Sequence, residues 1–263
     1  MGKNKEGFQM KKNFGTTIAG AVLLIAGLVL VFVTRGKAIA EAAGAGDKMF
    51  FALSLIVTLM GLVTLIAGLT PGREKTNVRQ LAIAGLFAAL CYIGFTFCKI
   101  DIPVGTEKTA FHLGNVFCVL AALLLGGFWG GMAGAVGMTI ADLTTAYVTS
   151  APKTFLLKLC IGLITGFFAH KVFHIREEGE RKVSLPVAVF LSCAAGMLFN
   201  VIADPVVGYF YKTYVLGVPQ KAAAIWMKIG AVTTAVNAVV AVAVAGALYL
   251  ALRPALKHAR LMP

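Results

Sequence analysis

Long apolar runs separated by short polar stretches dominate the chain. Asn13–Thr34, Met49–Gly72, Gln80–Cys98, Val183–Ala203 and Ile229–Leu252 are each long enough for one membrane span, since about 20 helical residues cross a hydrocarbon layer of roughly 30 Å. Leu113–Ala141 is too long for one span and breaks at Gly126-Gly127, giving two. Thr154–Val172 supplies the last, although it carries Lys158. The pattern predicts an all-α membrane protein of eight transmembrane helices. Residues 1–76 read as a two-helix hairpin with the charged linker Pro71–Asn77, and residues 77–263 as a six-helix bundle.

Composition agrees: 59% of residues are hydrophobic and 13% charged, which excludes a soluble domain of 263 residues. The formal net charge of +13 raises the possibility of a nucleic-acid partner, but its placement argues otherwise. Lys3, Lys5, Lys11 and Lys12, then Arg73, Lys75 and Arg79, then Lys171, Arg176, Arg181 and Lys182, then Arg253, Lys257 and Arg260 fall in alternate loops. Such bias marks the cytoplasmic side of a membrane protein. Both termini are therefore expected in the cytoplasm, with Lys99–Ala110 and Tyr211–Gln220 outside the cell membrane and some attraction to membrane lipid of anionic type. The first span has a basic start and Ala38-Ile39-Ala40 resembles a cleavage site. Its apolar core exceeds the 7–15 residues usual in a signal peptide, so a retained helix is expected.

Four charges interrupt the apolar spans: Asp142, Lys158, Asp204 and Lys228. Once the helices are oriented, all four fall at a similar depth in the outer half of the bilayer. An ionisable group there costs on the order of 2.5–3.5 kcal/mol on insertion scales, so it marks function by default. His112, Asn115, Asn200 and Tyr147 join them as candidate substrate-binding residues, because charged, amide and flat apolar groups at one depth are what a small-molecule pocket requires. Two readings stand for Asp142 and Lys158, which neutralise each other across consecutive helices or both contact a ligand. Tyr and Trp at this level also fit an interfacial belt.

Other features carry less chemistry. Gly127/Gly131 and Gly130/Gly134 are four residues apart, spacing that brings helix backbones together in lipid. Cys91, Cys98, Cys118, Cys160 and Cys193 form no CxxC pair and read as small apolar side chains. His170 and His174 share a helix face but lack a third ligand, so a solvated helix end is the preferred reading over a metal site. No P-loop is present, and hence no nucleotide motor. No catalytic residue, metal or cofactor is expected.

Several strings then follow in order: His112-Leu-Gly114-Asn115-Val-Phe, Ala122-Leu-Leu-Leu-Gly126, Gly134-Ala-Val-Gly137-Met-Thr-Ile-Ala-Asp142, Ala151-Pro152-Lys-Thr154-Phe155-Leu-Leu-Lys158 and Gly162-Leu-Ile-Thr-Gly166. Over roughly residues 79–252 the chain resembles the substrate-binding S component of energy-coupling factor (ECF) vitamin transporters, in the riboflavin-type branch. The resemblance implies a six-helix S component that captures a vitamin outside the cell. It also implies partners: a coupling transmembrane subunit and two ATPase subunits. The family's AxxxA docking pattern is matched by Ala84-Gly-Leu-Phe-Ala88, with Gly85 and Ala89 as a neighbouring stripe. The N-terminal hairpin is extra to the family pattern. Riboflavin stands first as a flat heteroaromatic cargo; pyridoxine, pantothenate, thiamine precursors and nucleobase-like precursors stay open. Two other classes remain in view: an intramembrane lipid-modifying enzyme using His112 and Asp142, and a self-contained secondary transporter.

Overall fold

The computed structural model of the chain describes residues 15, 17–30, 33, 54, 57–58, 61, 78–105, 107–177, 179 and 183–259. The chain divides into two compact units, residues 1–76 with 215–217 and residues 77–214 with 218–263. In the first, α1 (Thr17–Leu30) is apolar, and residues 54, 57, 58 and 61 are helical. A Cβ on Gly27 would sit 2.5 Å from the Thr58 backbone, and one on Gly61 would sit 2.2 Å from Leu24. The two helical segments therefore touch backbone to backbone, the contact that small residues permit in lipid. The linker Pro71–Asn77 and the remainder of the first two expected spans lie outside the described residues.

The second unit contains α2 (Val78–Thr96), α3 (Gly114–Leu125), α4 (Gly127–Leu143), α5 (Ala151–Phe167), α6 (Leu185–Phe210) and α7 (Gln220–His258). Single π-helical turns, Phe168–Val172 and Tyr211–Val215, extend α5 and α6. Four helices among the described residues are long and apolar enough to cross a membrane: Val78–Thr96, Val148–Val172, Leu185–Val215 and Gln220–His258. The long apolar run over 113–141 does divide at Gly126, which takes φ +88° between α3 and α4. Glycine reaches that region without the Cβ clash other residues meet. At 12 residues, α3 is about 18 Å long, too short to span a bilayer alone.

Segment 99–110 is not an irregular loop. Strands β1 (Lys99–Val104) and β2 (Glu107–His112) form an antiparallel hairpin in which Lys99 pairs with His112 and Val104 with Glu107. The stretch alternates apolar and polar residues through Ile100, Ile102 and Val104, the period-two pattern of a half-covered strand. The expected loop 211–220 is also shorter, because the π turn Tyr211–Val215 continues α6 and α7 already begins at Gln220.

Glycine sets how closely the bundle packs. On α4, Gly127 and Gly131 face Gly166 and Gly162 of α5, where an added Cβ would come within 2.2 Å of the opposing glycine Cα. Gly130 and Gly134, one stripe over, lie on Ala122 and Cys118 of α3. The two glycine pairs are thus two packing seams on one helix. Gly137 continues toward α2, where its Cβ would strike the Ala88 carbonyl at 2.1 Å. That contact corrects the expected docking groove: Ala84 is buried and Ala88 lies against α4, so both turn into the bundle. The outward stripe of α2 carries Leu81, Gly85, Leu86, Ala89 and Ile93 instead.

Candidate functional site

A cavity partly open to solvent lies where the hairpin meets α3 to α7, a concave space with convergent polar groups of the kind small-molecule sites use. His112 enters from the end of β2, Asn115 from the first turn of α3 and Asp142 from the last turn of α4. Tyr147 comes from the turn before α5, Lys158 from α5, and Asn200 and Asp204 from α6. Seven of the eight residues that the sequence nominated thus line one space. The eighth, Lys228, does not. On α7 the lining positions are Ala223, Trp226, Met227, Gly230, Thr233, Thr234 and Asn237, the 3- and 4-residue steps of one helix face. Lys228 is one residue past Met227, about 100° round the helix, and is exposed.

The ion pair in this cavity joins Lys153 and Asp204 rather than Asp142 and Lys158. Asp204 is held by Lys153, whose Nζ lies 2.5 Å from Oδ1, while the Thr234 hydroxyl donates to Oδ2 at 2.9 Å. One carboxylate therefore ties α5, α6 and α7 together. Asp142 and Lys158 form no salt bridge with each other among the described residues. Both are nonetheless buried, Asp142 at 2% exposure and Lys158 at 7%.

Burial without partners is the distinguishing property of this cavity. His112 Nδ1, Asn115 Oδ1, Asp142 Oδ2 and Asn200 Oδ1 are shielded from solvent and have no hydrogen-bond partner among the described residues. Most buried polar groups are paired, because leaving one bare costs about 1–3 kcal/mol. Three of the four are acceptor oxygens that call for ligand donors, and the buried Lys158 ammonium beside them calls for a ligand acceptor, so the surface suits a ligand edge that carries both.

The hairpin is fastened over this space from three sides. Asn237 of α7 accepts from the His112 backbone N–H and donates to the Ala110 carbonyl, each at 3.0 Å. Trp226 Nε1 donates to the Val104 carbonyl at 3.0 Å, and the Tyr147 hydroxyl donates to Asp101 at 2.8 Å. Burial and the Asp101 carboxylate push the Tyr147 phenol well above its ordinary pKa, so it stays a donor. Burial, then the neighbouring Lys158, lowers the His112 pKa and keeps the imidazole neutral. Aromatic surface is supplied by Phe95, whose ring meets His112 at 4.7 Å and Tyr147 at 5.5 Å, and by Trp226, capped by Lys212 at 4.2 Å.

The sequence reading passed over Lys153, Thr234 and Asn237. Lys153 sits in the first turn of α5, one residue before the start of the expected span Thr154–Val172. Thr233, Thr234 and Asn237 form a polar stripe in an otherwise apolar helix, in step with Trp226 and Gly230, and that spacing was the available signal.

No curated protein and no solved structure matches the chain. The family model for the S component of ECF-type riboflavin transporters matches residues 75–254, well over half of its length. This interval contains the hairpin, all six helices of the second unit apart from the last residues of α7, and every residue of the cavity. The chain therefore belongs to the ECF-type riboflavin transporter S-component family, as a membrane-embedded, multi-pass subunit that binds a small vitamin substrate and works with the subunits of an energy-coupling module.

Proposed function

We propose that this subunit captures riboflavin, or a flavin-like flat heteroaromatic, in the cavity under the hairpin and presents it for ATP-driven uptake. The observation that carries the reading is the set of four unpartnered buried polar atoms, on His112, Asn115, Asp142 and Asn200, beside the buried Lys158 ammonium. A ring edge with alternating carbonyl and N–H groups would satisfy them, while Phe95, Tyr147 and Trp226 cover its faces. Asp204 serves chiefly as the brace that positions α5, α6 and α7 around the ligand.

In this reading eight helices are embedded in the membrane, α3 reaching only partway across it, residues 1–76 are an appended hairpin, and residues 77–263 form the binding domain. Arg79, Lys171, Arg176, Arg253 and Lys257 lie at the bundle end remote from the β-hairpin, which supports a cytoplasmic assignment for that end and for both termini. The hairpin end then faces outward. The outward stripe of α2, with Gly85 and Ala89, is the docking face for a coupling transmembrane subunit driven by two ATPases.

The test is riboflavin binding to the purified chain, followed by flavin fluorescence. Saturable binding at one equivalent is expected. Lys158→Met is expected to weaken it about tenfold to hundredfold, the loss of one charge-assisted hydrogen bond in a dry site. Absence of flavin binding by a folded preparation refutes the cargo. Unchanged affinity in Lys158→Met removes that residue from the site.

A further inference from the structure

A second cleft, of about 1080 Å³, opens at the end of the bundle remote from the hairpin, where α3 gives way to α4 beside the end of α5. Leu163, Ile164, Phe167 and Phe168 form its walls, and His170, Lys171 and Arg176 form its rim. Phe167 is 56% exposed, so the apolar wall continues onto the outer surface of the helix. The π turn Phe168–Val172 brings His170 and Lys171 to this rim.

Part of the basic cluster has a local task. At the C-terminal end of α3, where carbonyls run out of helical partners, the Ala122 carbonyl accepts from the Gly126 N–H and is also reached by His170 Nε2 at 3.2 Å, while Arg176 Nη2 donates to Leu124 O. Capping does not use the whole cluster. His170 Nδ1 is shielded and unpartnered, and exposed Lys171 forms no salt bridge among the described residues. The nearest acid in the sequence, Glu177, is engaged with His174 at 3.1 Å. Gly127, the first residue of α4, also lines the cleft and adds the positive end of a helix dipole.

We propose that this cleft is a binding site for an anionic phospholipid, with the phosphate at Lys171, Arg176 and Gly127 and an acyl chain along Leu163, Ile164 and Phe167. Two properties select a lipid over a soluble anion. The lining is almost wholly apolar, which a free phosphate has no use for, and the cleft opens on a helix that spans the membrane. Basic pockets between helices at a cytoplasmic membrane surface take such headgroups. The inference does not depend on which cargo fills the cavity under the hairpin.

The experiment is native mass spectrometry of the full chain titrated with dioleoylphosphatidylglycerol or dioleoylphosphatidylcholine, repeated for Lys171→Gln and Ile164→Trp. Lys171 is exposed, so its substitution leaves the fold intact. The wild type is expected to retain the anionic lipid preferentially, and Lys171→Gln to reduce that retention about fivefold, as one basic contact near a membrane surface warrants. Ile164→Trp, which fills the cleft, is expected to abolish the preference; if that variant does not fold, Lys171→Gln decides. Equal retention of both lipids, or no effect of Lys171→Gln, overturns the proposal. Displacement of the lipid by millimolar inorganic phosphate would reassign the cleft to a free anion. Lipid retention that survives Ile164→Trp while cellular uptake falls would reassign it to a protein partner.

Discussion

Replacing Lys153 by Met removes the ammonium that lies 2.5 Å from Asp204 and keeps most of the side-chain volume. The Lys153 and Asp204 side chains are only 13% and 24% exposed, so water cannot fully take over the lost partner. Breaking a buried pair from one side costs about 3–5 kcal/mol. Residual exposure and the surviving Thr234 hydrogen bond at 2.9 Å place this case near the lower bound, about 3 kcal/mol. Asp204→Asn keeps an acceptor for Thr234 and leaves a flexible ammonium that can turn toward the cavity mouth, so about 1–2 kcal/mol is expected. In the double variant no unpaired charge remains, and its cost should be close to that of Asp204→Asn alone. The coupling between the two sites is then about 3 kcal/mol, the upper end of the range for residues in direct contact. Thermal unfolding in detergent, followed by helical circular dichroism, reads this directly. At about 2–4 °C per kcal/mol, Lys153→Met should melt about 6–12 °C below wild type, with the double variant recovering about one to two thirds of the loss. Additive losses in the double variant would refute the brace, as would a Lys153→Met protein that melts with the wild type.

Other outcomes follow from the same geometry. Gly162→Leu places a branched side chain against Gly131, where even a Cβ would lie 2.2 Å from the Cα; the α4–α5 seam should open, and the protein should lose flavin binding and thermal stability together, whereas binding at wild-type affinity would show that the seam yields freely. In a Cys98→Ser background, which removes the exposed native thiol, a membrane-impermeant maleimide should label Lys108→Cys but not Glu177→Cys in intact cells, and the reverse pattern would invert the proposed orientation. Gly85→Leu with Ala89→Leu should leave vitamin binding by the isolated subunit intact and abolish uptake by the assembled transporter; persistent uptake would move the docking face off α2.

Helix number in the binding unit, the break at Gly126, the two glycine stripes of α4 and the polar residues at one depth are all legible in the sequence. Each is a local property, set by hydrophobic run length, by glycine or by the 3.6-residue period. The period says which residues share a helix face but not which way that face turns, because rotation and tilt are decided by neighbouring helices. Lys228 lies within the lining stretch of α7, beside Met227, yet falls about one 100° step outside the lining face. Ala84 and Ala88 form the expected small-residue pair, yet close packing against Gly137 turns them inward and leaves Gly85 and Ala89 outside. Lys153 and Lys158 are both on α5, and nothing in their spacing says which meets Asp204. That choice was made by the glycine seams, which set the distance between α4 and α5, and by α7, which brings Thr234 to the second carboxylate oxygen. With Lys153 on Asp204, Asp142 and Lys158 are buried without a salt bridge among the described residues, and that is a property only the packed bundle could create.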